Sequence, residues 1–384
     1  MIQAAIVGGG FMGATHAEAL RRLGIPVVGM LGIDSTETER FTRQHGIPRG
    51  YVSLDEVASD PDVTAVHVCT PNHLHYGMAK ALIEAGKHVL VEKPLAKTSD
   101  QAAELTRLAK ERGVAGAVNY NLRYYPLNQE ARARIRAGMT GETRILHAEY
   151  CQDWLFLPSD WNWRLVAEEG GVTRVVGDIG THVMDMLTWL TDLEIVEVMA
   201  DMATFIPVRQ RPRQAVETFA GKLTRALETE DVAIDTEDFA AILLRFSNGA
   251  RGVVTLSQIN AGRKNAFWWE LNGSAGSMHW HQENPNQLWL GFRDKPNEIL
   301  LKDPALMQPQ ARRYAAYPGG HAEGYPDTFA RHFADFYGYI AAGDLEQPMP
   351  FPTLEDGWRE LRLCEAVQRS ALEGRWVAVL TDRE

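Results

Sequence analysis

Asp178 and His182 stand four residues apart in Gly177-Asp178-Ile179-Gly180-Thr181-His182, and on a helix that spacing puts both side chains on one face. A carboxylate beside an imidazole orients the ring and raises its basicity near neutral pH, which suits proton transfer at a hydroxyl. Two other uses compete: Asp178 as a helix N-cap, and the pair as half of a metal site. His279 and His281, alternating along an apparent strand, are too weak a source of further ligands, and we expect no metal. Lys93 is a second candidate. It follows the apolar run Val89-Leu90-Val91 and Glu92 and precedes Pro94, so a buried strand delivers its ammonium to a fixed place. There it can polarise a carbonyl or donate to a hydroxyl, although a surface lysine ending a strand would read the same way.

Gly8, Gly10 and Gly13 have the spacing G-x-G-x-x-G, with Phe11 and Met12 inside the turn. The first glycine permits a tight exit from a strand, and the second lets backbone approach a pyrophosphate. The third packs a helix against the sheet with its N-terminal amides toward the anion. A plain turn would also use glycines, but here a strand precedes, a helix follows and a second strand comes next, as dinucleotide binding requires. At the tip of that second strand stands Gly32, with Asp34 just beyond. An acid there would hold a ribose 2′-hydroxyl, whereas Ser35, Thr36 and Arg40 would suit a 2′-phosphate, so the choice between NAD and NADP stays open. Asp34 reads equally well as an N-cap.

These groups need a frame. Over the first 120 residues, short apolar runs at Ala4–Val7, Val27–Leu31, Ala65–Cys69, His88–Val91 and Val114–Val118 alternate with helical patterns at Ala14–Leu23, Ser35–His45, His73–Ala85 and Ser99–Arg112. That alternation predicts βαβ units and a doubly wound parallel sheet, with ligands at the carboxyl ends of the strands. Beyond Pro126, a helix at Leu127–Ala137, a strand at Thr143–Cys151 and a helix at Asp178–Leu190 precede a run of strands. Ser247-Asn248-Gly249 joins two of those strands as a hairpin. The second domain is thus α+β with a mostly antiparallel sheet; residues 1–122 and 123–384 form the two domains. The segment 207–235 reads as a partly helical excursion, and helices at Asp327–Ala342 and Leu354–Leu372 close the chain, the last one able to pack back on the first domain.

With 384 residues, two domains are the natural expectation. Thirty-nine basic against 50 acidic residues give a net charge of −11, which argues against nucleic acid or an anionic membrane as partner. Cys69, Cys151 and Cys364 are scattered, so neither a disulfide framework nor a zinc ribbon is indicated. Met1 leads straight into a strand and no run reaches membrane-span length, so we expect a cytoplasmic chain.

Taken together, Gly8-x-Gly10-x-x-Gly13, Thr70-Pro71-Asn72, Glu92-Lys93-Pro94, Trp163-Arg164 and Asp178-x-Gly180-x-His182 resemble the Gfo/Idh/MocA oxidoreductase family, in order and over nearly the whole chain. The resemblance implies an N-terminal Rossmann domain and a C-terminal domain with a large open sheet, often used for oligomer contacts, through which a homodimer or homotetramer is expected. It implies that His182 takes the proton of a sugar or polyol hydroxyl while hydride leaves the same carbon, that Lys93 hydrogen-bonds the reacting oxygen, and that Asp178 holds a neighbouring hydroxyl or orients the ring. Thr70, Pro71, Asn72, His75 and Glu92 match its nicotinamide side, with Trp163 and Arg164 near the cofactor, which is NAD or NADP. Gly32 departs from the family, many of whose members carry an acid at that position.

Further substrate candidates are Asn121, Arg123 and Tyr124 at the expected domain junction, Trp154 in an aromatic segment, and His321 in the loop Gly319-Gly320-His321. Aromatic planes beside polar groups suit sugars, but core packing explains most of them as readily. The implied activity is a dehydrogenase acting on a sugar, anhydrosugar, cyclitol or related polyol. A glycoside hydrolase that oxidises its substrate transiently and a non-catalytic dinucleotide sensor are the alternatives; a sensor has no need of Lys93, Asp178 and His182 together.

Overall fold

The computed structural model describes residues 2–213 and 228–379. They form two compact units: one runs to Asn121 and takes in Glu168–Gly171 and Pro326–Leu361, and the other holds the remaining described residues. The chain therefore returns to its first unit late, which a single cut after residue 122 does not capture.

The first unit is built on five parallel strands, β1 (Ala4–Val7), β2 (Val27–Leu31), β3 (Ala65–Val68), β4 (His88–Val91) and β5 (Gly116–Val118), in the order β2-β1-β3-β4-β5. β1, β3 and β5 are buried throughout, as strands covered on both faces must be, and their sequences are correspondingly apolar. The intervening helices are α1 (Phe11–Arg22), α2 (Ser35–His45), α3 (Leu54–Ser59), α4 (Asn72–Glu84) and α5 (Ser99–Arg112). α1 begins three residues before the periodicity suggests, because Gly13 lies inside it. The short α3 escapes periodicity altogether, and its signal is the cap Ser53, whose hydroxyl accepts from Glu56 N–H at 3.3 Å.

Along the rest of the chain α6 (Pro126–Arg136) leads into β6 (Thr143–Cys151), and the single turn α7 (Ala167–Gly170) precedes a π-helical stretch, Val176–Gly180. α8 (Thr181–Thr191) continues from it. Then follow β7 (Ile195–Ala203), β8 (Val208–Pro212), β9 (Thr229–Ala233), β10 (Phe239–Phe246), β11 (Arg251–Ser257), β12 (Ala266–Gly273), β13 (Ser277–His281), β14 (Gln287–Gly291) and β15 (Glu298–Leu301). The turn α9 (Pro309–Arg312), α10 (Tyr325–Ala342), α11 (Leu354–Glu373) and β16 (Val377–Ala378) complete the chain. Nine strands make one sheet, β15-β14-β13-β12-β6-β11-β10-β7-β16, in which β6 and β11 are parallel and every other pair antiparallel. β8 and β9 pair as a separate hairpin within the expected excursion, whose residues 214–227 lie outside the described residues. No helix of the described residues is long and apolar enough to cross a membrane.

One face of the large sheet is core. Leu146, Ile242, Leu244, Val254, Leu256, Trp269 and Trp280 pack with Val183, Met184 and Leu187 of α8. The alternate residues Ile145, Leu243 and Val253 face outward, each more than 40% exposed. Trp268 and Trp269 accordingly part company: Trp269 is fully buried and donates to Asn128 at 3.0 Å, while Trp268 is half-buried and donates to Glu149.

The π-helical stretch is pinned from below by charge. Asp238, fully buried, accepts from Arg174 and, at 3.0 Å, from Arg209 of β8, both guanidinium groups also being fully buried. The neighbouring Glu237 accepts the backbone N–H groups of Arg174 and Val176 at 2.9 Å, so it caps the turn that carries Asp178. Burial pushes the Glu237 carboxyl up, opposed by those two backbone bonds. Breaking a buried ion pair from one side is among the more destructive single changes. Asp238→Asn should lose about 3–5 kcal/mol of stability in denaturant unfolding, and a loss below about 1 kcal/mol would contradict this account of the turn.

Candidate functional site

In the first unit the candidate groups gather at the carboxyl edge of the parallel sheet. The glycine-rich turn leaves β1 with Gly8 at φ +100°, where an added Cβ would stand 2.6 Å from the Cys69 carbonyl oxygen. A Cβ on Gly13 would stand 2.1 Å from the Gly8 carbonyl oxygen, so α1 can pack against the turn only as glycine. α1 starts immediately at Phe11 and has no acid in its first turn, which leaves its positive end available to an anion. Phe11 is half exposed and Met12 half-buried beside it.

At the tip of β2 the expected acid has another task. The Asp34 carboxylate accepts Glu37 N–H at 2.7 Å and is the N-cap of α2, whose first turn contains Ser35. Asp34 and Ser35 are both exposed. A second acid at that place is Glu37. Its carboxylate accepts Ile33 N–H at 2.8 Å, and a Cβ on Gly32 would lie 2.9 Å from its Oε2. A Cβ on Gly9 would lie 2.8 Å from Glu37 Cδ. Glu37 therefore fills the space between the glycine-rich turn and the strand tip, where a doubly wound sheet of this kind holds a ribose. Gly32 is side-chain-free because the acid arrives from the helix. The sequence carries this as Asp34-x-x-Glu37, which reads first as a cap.

Thr70 and Pro71 lie at the end of β3 and Lys93 at the end of β4, all three half-buried. Asn72 is buried and donates to the Gly170 carbonyl at 2.7 Å, and His75 is fully buried. His75 Nδ1 meets the Pro94 carbonyl at 2.7 Å and Nε2 the Thr70 carbonyl at 2.8 Å. Both partners are acceptors, so both bonds form together only with the ring doubly protonated. His75 thus ties the Thr70 and Pro94 segments to each other. Glu92 is likewise turned inward, its carboxylate bound by His16 at 2.9 Å and by Asn119.

In the second unit Asp178 sits within the π-helical turn and not at a helix N-terminus, so the N-cap reading fails. Arg164 Nε donates to its Oδ1 at 3.1 Å and Gln258 Nε2 to its Oδ2 at 2.7 Å. A cation and an amide on its two oxygens hold it as a carboxylate in a fixed plane. The Arg164 guanidinium lies 4.2 Å over the Trp163 ring and also donates to Asn162 Oδ1, so the Trp-Arg pair orients Asp178. His182 opens α8 one turn later, nearly buried, with the Tyr150 ring 6.5 Å away. Tyr150 donates to Asn265 at 2.7 Å, and burial pushes its phenol well up, so it stays a neutral donor. Gln258, just after β11, is a site residue that nothing in its local sequence announces.

Arg123 forks onto buried Asp185, with Nε donating at 2.8 Å, and stands over Trp189; Tyr124 is buried edge-on to Tyr314. Asn121 is buried and donates to Thr328 at 2.7 Å. Trp154 packs on Leu155, Leu165 and Ile234 and donates to Gln152. Each of these side chains has a partner within its own unit. His321 is exposed, in a loop held by the buried pair Lys302–Glu323 at 2.7 Å. His279 and His281 lie on the outward face of β13, opposite the core face of Met278 and Trp280.

Comparison with known proteins agrees with this arrangement. Residues 2–120 match the description "Oxidoreductase family, NAD-binding Rossmann fold", and residues 128–279 match "GFO/IDH/MocA C-terminal domain". Levoglucosan dehydrogenase of Pseudarthrobacter phenanthrenivorans is 29% identical over 97% of both chains. A solved levoglucosan dehydrogenase in complex with NADH and L-sorbose superposes with a TM-score of 0.88 at 28% identity, covering 99% of both chains. An inositol dehydrogenase homologue with NAD+ from Azotobacter vinelandii gives 0.85 at 28% identity over 98% of this chain and 97% of that one. The glycine-rich turn on β1, the Glu92-Lys93-Pro94 strand end and the Asp178/His182 helix thus belong to an NAD-binding CH–OH oxidoreductase of the Gfo/Idh/MocA family.

Proposed function

We propose that this chain is an NAD-dependent dehydrogenase acting on a secondary hydroxyl of a sugar, anhydrosugar or cyclitol. The observation that carries the reading is Asp178, fixed by Arg164 and Gln258 one turn ahead of His182. A carboxylate whose plane is set by two donors is built to hold a hydroxyl, and the imidazole beside it to exchange that hydroxyl's neighbour's proton. Lys93 donates to the reacting oxygen and stabilises the charge that develops there. NAD, when bound, accepts or returns the hydride; the glycine-rich turn, the positive end of α1 and Glu37 hold it. The relatives named above are a levoglucosan dehydrogenase and a homologue of inositol dehydrogenase, which supports this substrate class.

A panel of anhydrosugars, sugars and inositols should show substrate-dependent NAD reduction. His182→Ala and Lys93→Ala should each lower kcat on the order of a hundredfold or more while leaving NADH binding intact. Wild-type turnover in either variant, or aglycone release from a glycoside with no net NAD reduction, would contradict the reading.

Glu37 is the residue we assign to the adenosine ribose, and with it a preference for NAD over NADP. A charge-assisted hydrogen bond lost from Glu37→Ala should weaken NADH binding by roughly tenfold or more and improve NADPH binding, read by fluorescence titration. If Glu37 only caps α2, melting temperature falls and the ratio of the two dissociation constants stays put.

The outward face of the nine-stranded sheet, with Ile145, Leu243, Val253, Ile299 and Leu301 exposed, is the surface we assign to a second copy of this chain. Light scattering should find a dimer or tetramer, and Leu243→Glu with Val253→Glu should reduce it to a smaller species. A monomeric wild-type protein would contradict the assignment.

A further inference from the structure

Where β6 ends and β12 begins, the core face of the large sheet gives way to amides. The two strands are antiparallel, with Cys151 paired to Ala266 and Tyr150 to Phe267, so Gln152 and Asn265 stand side by side just past the last pair. Alternation puts both on the face that carries Tyr150, Phe267 and Trp269 and packs on α8. Tyr150 stacks on Phe267 with ring centres 5.3 Å apart, and its ring lies 6.5 Å from that of His182. Gln152, Asn265 and the nearby Trp154 are all half-buried.

The chemistry of the partners fixes which way each amide points. An indole N–H only donates, so Gln152 turns its Oε1 to Trp154 Nε1, 2.8 Å away. Its Nε2 then donates to Asn265 at 2.8 Å, and Asn265 must answer with its oxygen. The Tyr150 hydroxyl, 2.7 Å from that same Oδ1, donates to it as well. The backbone of Gln152 is held too: its N–H donates to the Ser257 carbonyl and its carbonyl accepts Asn260 N–H, both at 2.8 Å. One amide oxygen thus takes two hydrogens, while Asn265 Nδ2 keeps both of its own, with no partner among the described residues.

An accessible amide whose oxygen is engaged and whose nitrogen is not is a pure donor. A hydroxyl can accept from it, but the hydroxyl's own hydrogen then needs a further acceptor. An ether oxygen only accepts, so a single donor satisfies it. We propose that Asn265 is a specificity-determining residue: its Nδ2 donates to a ring or bridging ether oxygen of the substrate, one phenol ring away from the imidazole of His182. The class it selects is an anhydrosugar or a pyranose, in preference to a cyclitol, whose ring holds no oxygen. Gln152 and Trp154 act through Asn265 as positioning residues, because they keep the amide from turning its oxygen toward the substrate.

The inference rests on the dehydrogenase reading above, and a binding measurement separates the two. Asn265→Asp is the sharpest variant, since a carboxylate still accepts from Tyr150 and Gln152 but has no hydrogen to offer. In calorimetric titrations with NADH present, it should weaken levoglucosan binding by roughly tenfold or more and leave myo-inositol binding within about threefold of wild type. Gln152→Leu, which frees the Asn265 amide to turn, should move the ratio of the two dissociation constants the same way by a smaller factor, and it carries the test if Asn265→Asp does not fold. Wild-type protein that binds levoglucosan no better than myo-inositol would overturn the proposal. So would a variant in which both affinities move together or neither moves. Levoglucosan bound with the expected sensitivity but never oxidised would instead contradict the dehydrogenase reading and leave the role of Asn265 standing.

Discussion

A charge taken out of water must be met by a partner fixed in place, and the candidate chemistry of this chain is arranged around that constraint. Asp238 meets Arg174 and Arg209 beneath the π-helical turn, Asp178 meets Arg164 and Gln258 within it, and Glu92 meets His16 and Asn119 behind Lys93. Each set draws its members from elements distant in sequence. A carboxylate held from two sides has one orientation, and the backbone that carries it inherits that orientation. The π-helical turn is the clearest case: its first amides are capped by Glu237, its middle residue is held by Arg164, and α8 continues from it with His182.

What the sequence makes legible is what is local. Strand-glycine-helix order places the pyrophosphate cradle, apolar runs define the parallel sheet, and alternation along β10 to β14 separates a core face from an outward one. Spacing also puts Lys93 at a strand end and joins Asp178 to His182. What is not legible is who partners whom. Asp34 and Glu37 are three residues apart, and periodicity cannot say which of them caps the helix and which fills the gap beside Gly9 and Gly32. Gln258 lies 80 residues from Asp178, and Arg123 is indistinguishable in sequence from a cleft residue until Asp185 is seen beneath it. An α-helical reading of Asp178–Leu190 misses the wider turn at its start, because the capping group, Glu237, lies far along the chain, between β9 and β10.

The division of labour between the two units follows. The parallel sheet offers backbone and a helix terminus at its carboxyl edge, sets Glu37 beside them, and brings Lys93 to the same edge. The second unit offers a fixed carboxylate and an imidazole, together with a broad sheet whose outward face carries aliphatic side chains. Membership of the Gfo/Idh/MocA family, shown across both units, fits each half of that description.

The central claim is that hydride passes directly between a carbon bearing a hydroxyl and the nicotinamide. The most direct measurement supplies levoglucosan or an inositol deuterated at its ring carbons together with unlabelled NAD, and weighs the reduced cofactor by mass spectrometry. The account predicts one deuterium gained per NADH formed. Reduced cofactor without deuterium, or deuterium lost to solvent with no reduced cofactor, would contradict it.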